Sequence, residues 1–354
     1  MSVHTAPLDA RSVAPLLVTP VARGAGEPSA PLDTLLTWIS EDPSRTQRLL
    51  LEHGALFFRG FSVPDPASFE RVSRAIAPDL KNDYLGTSPR DAVTPYVFTA
   101  SELPGHYPIP QHCEMTFVKT PPEHLFFCCL TPNGGAGGET PLADFRKVYA
   151  DLDPTVRDRW AERGVRIVRN YGGPEGHGKR DPTQLKRWDE MFGTTDRALV
   201  EQKAAANGFT PRWRDDGRLQ LTSVQAAVRA HPVTGQPVWF NHANVFHPSA
   251  PAGEYGYIAA RMGAWPWRFW QLAAWTLAQY HRWTRDPEDA SMHVTFGDGG
   301  AIPAADLDAI RAAIWKNMVY TQWQAGDVMA IDNRSVAHGR MPYAGPRRVA
   351  VSWA

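Results

Sequence analysis

The sequence predicts an α+β protein: a double-stranded β-helix (jelly-roll) core with helical insertions, forming one domain over residues 1–354. Three observations lead to that class. Short apolar runs with strand character group toward both ends, at 55–61, 94–99, 111–118 and 123–130, and again at 317–323, 327–332 and 346–353. Segments of helical period lie between the two groups. No internal repeat or long linker divides the chain, so short strands from both ends close on one another around a single core.

The elements follow in order. Residues 1–33, rich in Pro, Ala and Ser, read as an extended lead-in with a strand at Leu16–Val21. Residues 34–53 have helical spacing with a break near Pro43, which lacks the N–H a helix interior needs. ALFFRGF is a buried strand, Arg59 within it a structural charge near the barrel base, and PASFERVSRAI an amphipathic helix. Strands follow at 94–99, 111–118 and 123–130, the last two separated by a turn at Thr120-Pro121-Pro122. NGGAGGET is a glycine turn without the Lys-Ser/Thr ending of a phosphate loop, which argues against nucleotide binding there. A helix is predicted over 148–166, with Pro154 at a turn or helix start, and another over 183–206. Residues 218–247 return to short strands around the turn HPVTGQP.

Residues 253–285 form a Trp-rich helical insertion, with Pro266 suited to a helix start. Phe269, Leu272, Ala273, Thr276, Tyr280 and Trp283 line one side. Arg268, Gln271, Gln279 and Arg282 lie along another, with Trp275 among them, which argues against a membrane span. The apolar side is expected to pack on the barrel mouth or flank, walling the substrate cavity or meeting a second copy in a homo-oligomer.

Bulk composition narrows the function. Lys plus Arg number 37 and Asp plus Glu 37, a formal charge of zero that lacks the basic footprint of a nucleic-acid binder. Three cysteines (Cys113, Cys128, Cys129) make no disulfide framework, and HLFFCCL places two of them as buried thiols on a strand. The opening MSVHTAPLDARSVAPLL has Asp and Arg where a signal peptide is apolar, so a reduced cytoplasmic enzyme is expected.

The chemistry concentrates in His112-Cys113-Glu114 and, far downstream, His338. If 111–117 is a strand, its period of two puts His112 and Glu114 on one face and Cys113 on the other. A distant histidine then completes two imidazoles and a carboxylate, the facial set of non-haem Fe(II) oxygenases, which leaves positions open for a co-substrate and O₂. The same donors also suit zinc with a bound water, as in a hydrolase. An arginine beyond the distal histidine can hold the far end of a dicarboxylate.

The text around those residues resembles one family. YPIPQHCEMTFV (107–118), GGETPLADF (137–145) and AGDVMAIDNRSVAHGRMPYAGPRRVAVSW (325–353) resemble the TauD/TfdA family of Fe(II)/2-oxoglutarate oxygenases, in its SyrP-like and clavaminate-synthase-like branch. GALFFRGF (54–61), YLGTSPR (84–90) and HPVTGQPVWFNHANVFH (231–247) add to the likeness, which runs in family order over about 50–250 and 290–353.

The resemblance implies that His112, Glu114 and His338 hold Fe(II), that Arg348 anchors the C5 carboxylate of 2-oxoglutarate, and that Thr140 gives that carboxylate a hydroxyl. Arg347 and Arg348 face opposite ways on a strand, so only one can enter the barrel. Family position brings Tyr84, Ser101, Glu102, Gln111, Asn241 and His242 to the iron-facing cavity. Related halogenases replace the carboxylate ligand by Gly or Ala, so Glu114 disfavours halogenation. The implied reaction is hydroxylation of an unactivated C–H bond in an amino-acid-like or natural-product intermediate, free or carrier-bound, with release of succinate and CO₂. Desaturation and cyclisation use the same cofactors, and a non-catalytic jelly-roll protein that binds a ligand or metal is the alternative of another class.

Overall fold

The computed structural model describes residues 3–9, 12–21, 29–86, 90–101, 103–174, 185–263 and 265–354; Glu102 therefore lies outside the described residues. The chain opens with the antiparallel hairpin of β1 (Val3–Asp9) and β2 (Ser12–Pro20). Helices α1 (Leu32–Glu41) and α2 (Pro43–His53) follow, broken where the sequence predicts. Asp42 accepts the Ser44 N–H and Pro43 takes the first helical position, where a missing N–H costs nothing. Gly54 ends α2 at φ 70°, and a Cβ there would collide with Val336. The same Asp-Pro start, with the Asp side chain capping, begins α3 (Pro66–Ile76) after β3 (Ala55–Phe58).

Next come β4 (Phe98–Thr99), β5 (Ile109–His112), β6 (His124–Thr131) and β7 (Leu142–Asp144). The helix expected over 148–166 is two, α4 (Phe145–Asp151) and α5 (Pro154–Arg163), with Asp153 capping the second. Its expected end already belongs to β8 (Val165–Tyr171). Then follow α6 (Trp188–Phe192), α7 (Arg197–Ala206), β9 (Thr210–Trp213), β10 (Leu219–Gln225), β11 (Val228–Ala230) and β12 (Pro237–Trp239). Helices α8 (Ala243–Phe246), α9 (Ala250–Met262) and α10 (Trp265–Thr284) precede β13 (Met292–Phe296) and α11 (Ala304–Lys316). The chain closes with β14 (Met318–Val319), β15 (Val328–Asp332), β16 (Val336–Arg340) and β17 (Arg348–Trp353).

A seven-stranded sheet runs β1-β2-β3-β15-β6-β17-β4, and a four-stranded sheet runs β14-β7-β16-β5. Strands from both ends of the sequence thus interleave, as the two groups of apolar runs suggested. The central strands are apolar along most of their length because both their faces are buried. Phe126, Cys128, Val328 and Ala330 pack outward under α1 and α3. Leu125, Phe127, Cys129, Met329 and Ile331 pack inward on Leu142 and Val336 of the smaller sheet. Cys128 and Cys129 are free, buried thiols on opposite faces of one strand. Arg59 pairs with Asp327 at 2.6 Å, tying the end of β3 to the start of β15. A second core surrounds Trp160, which packs on Trp239 and donates to Asp306 Oδ2 of α11 at 2.9 Å; β13-β8-β10-β9 forms its sheet.

The two helices of the Trp-rich segment differ in burial. Tyr255, Ile258 and Ala259 bury α9, whereas α10 has no buried residue. Trp267 and Trp270 lean on Tyr255, and Trp270 stacks on His106 at 4.8 Å, but Trp265, Phe269, Leu272, Trp275, Tyr280 and Trp283 are exposed. Among the described residues no helix is long and apolar enough to cross a membrane. Removing 265–284 and bridging the gap is therefore expected to leave the thermal midpoint within a few degrees of the parent. Ile258→Ala in α9, by contrast, should cost about 2–5 kcal/mol as a core truncation. Thermal denaturation of the two variants separates a peripheral α10 from a covered one.

Candidate metal centre and co-substrate site

The smaller sheet builds the centre. His112 ends β5 and His338 lies in β16, and the two residues face each other in register, their rings 4.3 Å apart. The strand expected over 111–118 stops at His112, and residues 114–117 form a turn in which Met115 has φ 53°. Strand alternation therefore does not place Glu114. Asn333, fully buried in the β15–β16 turn, does so instead. Its Oδ1 accepts the Glu114 N–H at 2.6 Å, and its Nδ2 donates to the carbonyls of Glu114 at 3.1 Å and Pro122 at 2.8 Å.

One ligand atom from each of His112, Glu114 and His338 lies within 4.8 Å of the others. Pro110 O lies 2.8 Å from His112 Nδ1, so that nitrogen carries the proton and Nε2 keeps its lone pair for a metal. Burial holds both imidazoles below the usual histidine range, which favours the neutral, ligating form. Two imidazoles and a carboxylate at this spacing fit a ferrous ion. Asn333→Ala would strand three buried main-chain groups, each costing about 1–3 kcal/mol. The expected result is a lower thermal midpoint together with weaker binding of divalent metal in an anaerobic titration. Unchanged metal affinity would show that Glu114 holds its place without Asn333.

The carboxylate of Glu114 has two further partners. Arg90 Nη2 donates to Oε2 at 2.8 Å, with both side chains almost wholly buried, and the Tyr84 hydroxyl lies 3.4 Å from Oε1. The motif YLGTSPR thus supplies two partners of Glu114, the expected Tyr84 and, at its end, Arg90, whose part only the packed fold reveals. The Arg90 guanidinium also stacks 4.4 Å over the Tyr84 ring.

The second polar end lies beside Thr140, two residues before β7. Its buried Oγ1 is 3.2 Å from Arg347 Nη2 and 3.2 Å from Trp323 Nε1, and Arg347 Nε donates to Gly138 O at 2.7 Å. Gly137, at φ 89°, makes this approach possible, because a Cβ there would strike Pro342 O. The arginine beside Thr140 is Arg347, whereas Arg348, the residue expected there, is exposed at the start of β17. Opposite facing of the two holds, but the phase is reversed. Arg347 shares its phase with Val349, Val351 and Trp353, which fill the core between the sheets. Arg348 falls in phase with Ala350 and Ser352. Large apolar residues at every second position marked the inward face, and that signal was available in the sequence.

The other cavity candidates divide. His242 is buried beside the centre, its ring 5.1 Å from that of His112 and its Nδ1 2.7 Å from Thr116 Oγ1. Asn241 is a structural cap, donating to Ala227 O at 2.9 Å and accepting the Ala243 N–H at 3.0 Å. Gln111 donates to Pro141 O at 3.1 Å, bracing β5 against the segment that carries Thr140. Ser101 accepts the Leu103 N–H at 3.3 Å, in a loop whose carbonyls Arg340 gathers. Each of Asn241, Gln111 and Ser101 thus serves a main-chain group, while Gln111 Oε1 is buried without a partner among the described residues.

Residues 16–353 match the profile of the family described as Taurine catabolism dioxygenase TauD, TfdA family. The chain is 29% identical over 307 residues to the dapdiamide synthesis protein DdaC of Enterobacter agglomerans, covering 86% of this chain and 83% of that one. It is 30% identical over 345 residues to a clavaminate synthase-like protein of Arabidopsis thaliana, covering 96% and 92%. Among solved structures it is similar in fold to PvcB, described as an Fe, alpha-ketoglutarate dependent oxygenase from an isonitrile synthetic pathway, with a TM-score of 0.52 at 16% identity over 99% of this chain and 91% of that one. AAD-2 in complex with Mn(II) and N-oxalylglycine gives 0.51 at 12% identity, over 100% and 97%. A match spanning almost the whole chain, joined to a His-Glu-His cluster of the right donors, places this protein in the TauD/TfdA family of Fe(II)/2-oxoglutarate-dependent dioxygenases.

Proposed function

We propose that this protein hydroxylates an unactivated C–H bond of an amino-acid-like or natural-product intermediate, free or carrier-bound, releasing succinate and CO₂. The observation that carries the reading is the His112–Glu114–His338 cluster, with its carboxylate ligand kept. Ferrous iron held there supplies oxidation of the substrate by O₂ coupled to decarboxylation of 2-oxoglutarate. Glu114 occupies the position a halide would need, which disfavours halogenation.

The chain's own residues do the rest. Arg347 and Thr140, cradled by the glycine turn, receive the far carboxylate of 2-oxoglutarate through charge-assisted hydrogen bonds. Asn333 holds Glu114 in place, and Arg90 and Tyr84 steady its carboxylate. His338 is buried and His112 half-buried, an enclosure that would limit bulk water at the reacting C–H bond. The two packed sheets support a double-stranded β-helix as the scaffold, and three buried free thiols support work in a reducing compartment such as the cytoplasm. Desaturation and ring closure would use the same residues, with substrate placement deciding the ending.

Anaerobic addition of Fe(II) and 2-oxoglutarate is expected to produce a weak visible charge-transfer band. Admission of O₂ with a metabolite library should then release succinate in step with one oxidised product. A chain that merely binds a ligand gives neither signal, and absence of both overturns the oxygenase reading.

A further inference from the structure

One set of buried donors serves neither the metal nor the co-substrate end. Arg169, midway along β8, is fully buried, and among the described residues none of its Nε, Nη1 and Nη2 atoms has a hydrogen-bond partner. Strands pair with it on both sides, Leu221 of β10 and Met292 of β13, so the residue cannot swing its charged head to water. The fully buried Tyr171 hydroxyl, two residues along the same face, is also without a partner among the described residues. Among the described residues, Tyr171 and Tyr84 act on Arg169 electrostatically.

What surrounds Arg169 does not compensate its charge. Its guanidinium lies 4.0 Å over Phe117, 4.7 Å over Phe209 and 5.6 Å over Tyr171. Cation–π contacts offset only part of the cost of burying an ion. An anion is what this arrangement lacks. The position says which anion. Phe117 touches His242, whose ring touches that of His112, so Arg169 stands behind the aromatic wall on the metal side. Arg347, beside Thr140 and Tyr343, serves the other end. Arg90, on Glu114, likewise keeps buried Nε and Nη1 atoms free of partners among the described residues.

We propose that Arg169, with the Tyr171 hydroxyl, binds a carboxylate of the substrate, so that the molecule oxidised at the iron is an anion oriented by its acid group. This deepens the oxygenase reading and rests on it. An amino-acid-like substrate would place its carboxylate on these donors and present a carbon farther along to the metal.

The test uses intact protein loaded anaerobically with Fe(II) and saturating 2-oxoglutarate, which occupies the Arg347 end. The probes are butyrate and L-2-aminobutyrate, each beside its primary amide, and the readouts are the thermal midpoint and the charge-transfer band. In the parent protein the carboxylates should raise the midpoint and the amides should not. In Arg169→Met the half-saturating carboxylate concentration should rise at least about 30-fold, as expected for losing a charge-assisted pair. The probe-free midpoint of that variant should rise, because an unpaired buried cation has gone, and Arg169→Lys should keep part of the response. Equal shifts from acids and amides in the parent overturn the proposal even if the variants fail to fold. So does an undiminished carboxylate response in Arg169→Met, or a lower probe-free midpoint, which marks Arg169 as a packing residue. Loss of the charge-transfer band from the parent protein would instead sink the oxygenase reading itself.

Discussion

Arg347→Ala should raise the 2-oxoglutarate concentration needed for half-maximal turnover far more than Arg348→Ala. The Arg347 guanidinium sits beside the Thr140 hydroxyl in the buried space between the sheets, while Arg348 is exposed. Losing a charge-assisted pair to a buried carboxylate costs on the order of 2–5 kcal/mol, roughly 30- to several-thousand-fold in affinity. Arg348→Ala, an exposed substitution, should stay within about twofold. Succinate release against 2-oxoglutarate concentration reads both. A larger effect from Arg348 would mean that the carboxylate binds elsewhere.

His112→Ala, Glu114→Ala and His338→Ala should each abolish coupled turnover, since two remaining ligands hold iron poorly. Stability should survive in all three, because the sheets close through Phe127, Leu142, Met329, Val351 and their neighbours rather than through the metal pocket. Glu114→Ala has an added consequence, because it leaves Arg90 buried with no carboxylate. Its midpoint should therefore fall below those of the two histidine variants, and Glu114→Gln should recover part of the loss. Succinate release at the parent rate from any alanine variant would remove that residue from the ligand set.

Much of the helical framework was legible because helix starts are decided locally. Asp42-Pro43, Asp65-Pro66 and Asp153-Pro154 each begin a helix by the same device, a side-chain cap followed by a residue with no N–H to satisfy. The continuous apolar runs at β3, β6 and β15 likewise announced strands buried on both faces. Where expectation failed, local pattern was answering a nonlocal question. The run at 111–118 looks like one strand, yet the chain turns after His112 because Asn333, more than two hundred residues on, takes the Glu114 main chain. Likewise α10 has the aromatic density of a packed helix, but whether a face is covered depends on what the rest of the fold brings to it.

By itself the sequence determined the ligand types, their order and the family, because donor chemistry and motif spacing are written in consecutive residues. It also determined that one of two adjacent arginines must face inward. Tertiary structure alone decided that His112 and His338 meet in register and that Asn333 delivers Glu114 to them. It also decided that Arg169 is sealed with no hydrogen-bond partner among the described residues. These depend on which segments lie side by side once the sheets close. A strand's period is local, but its pairing register and its neighbours across the core are properties of the whole packed chain.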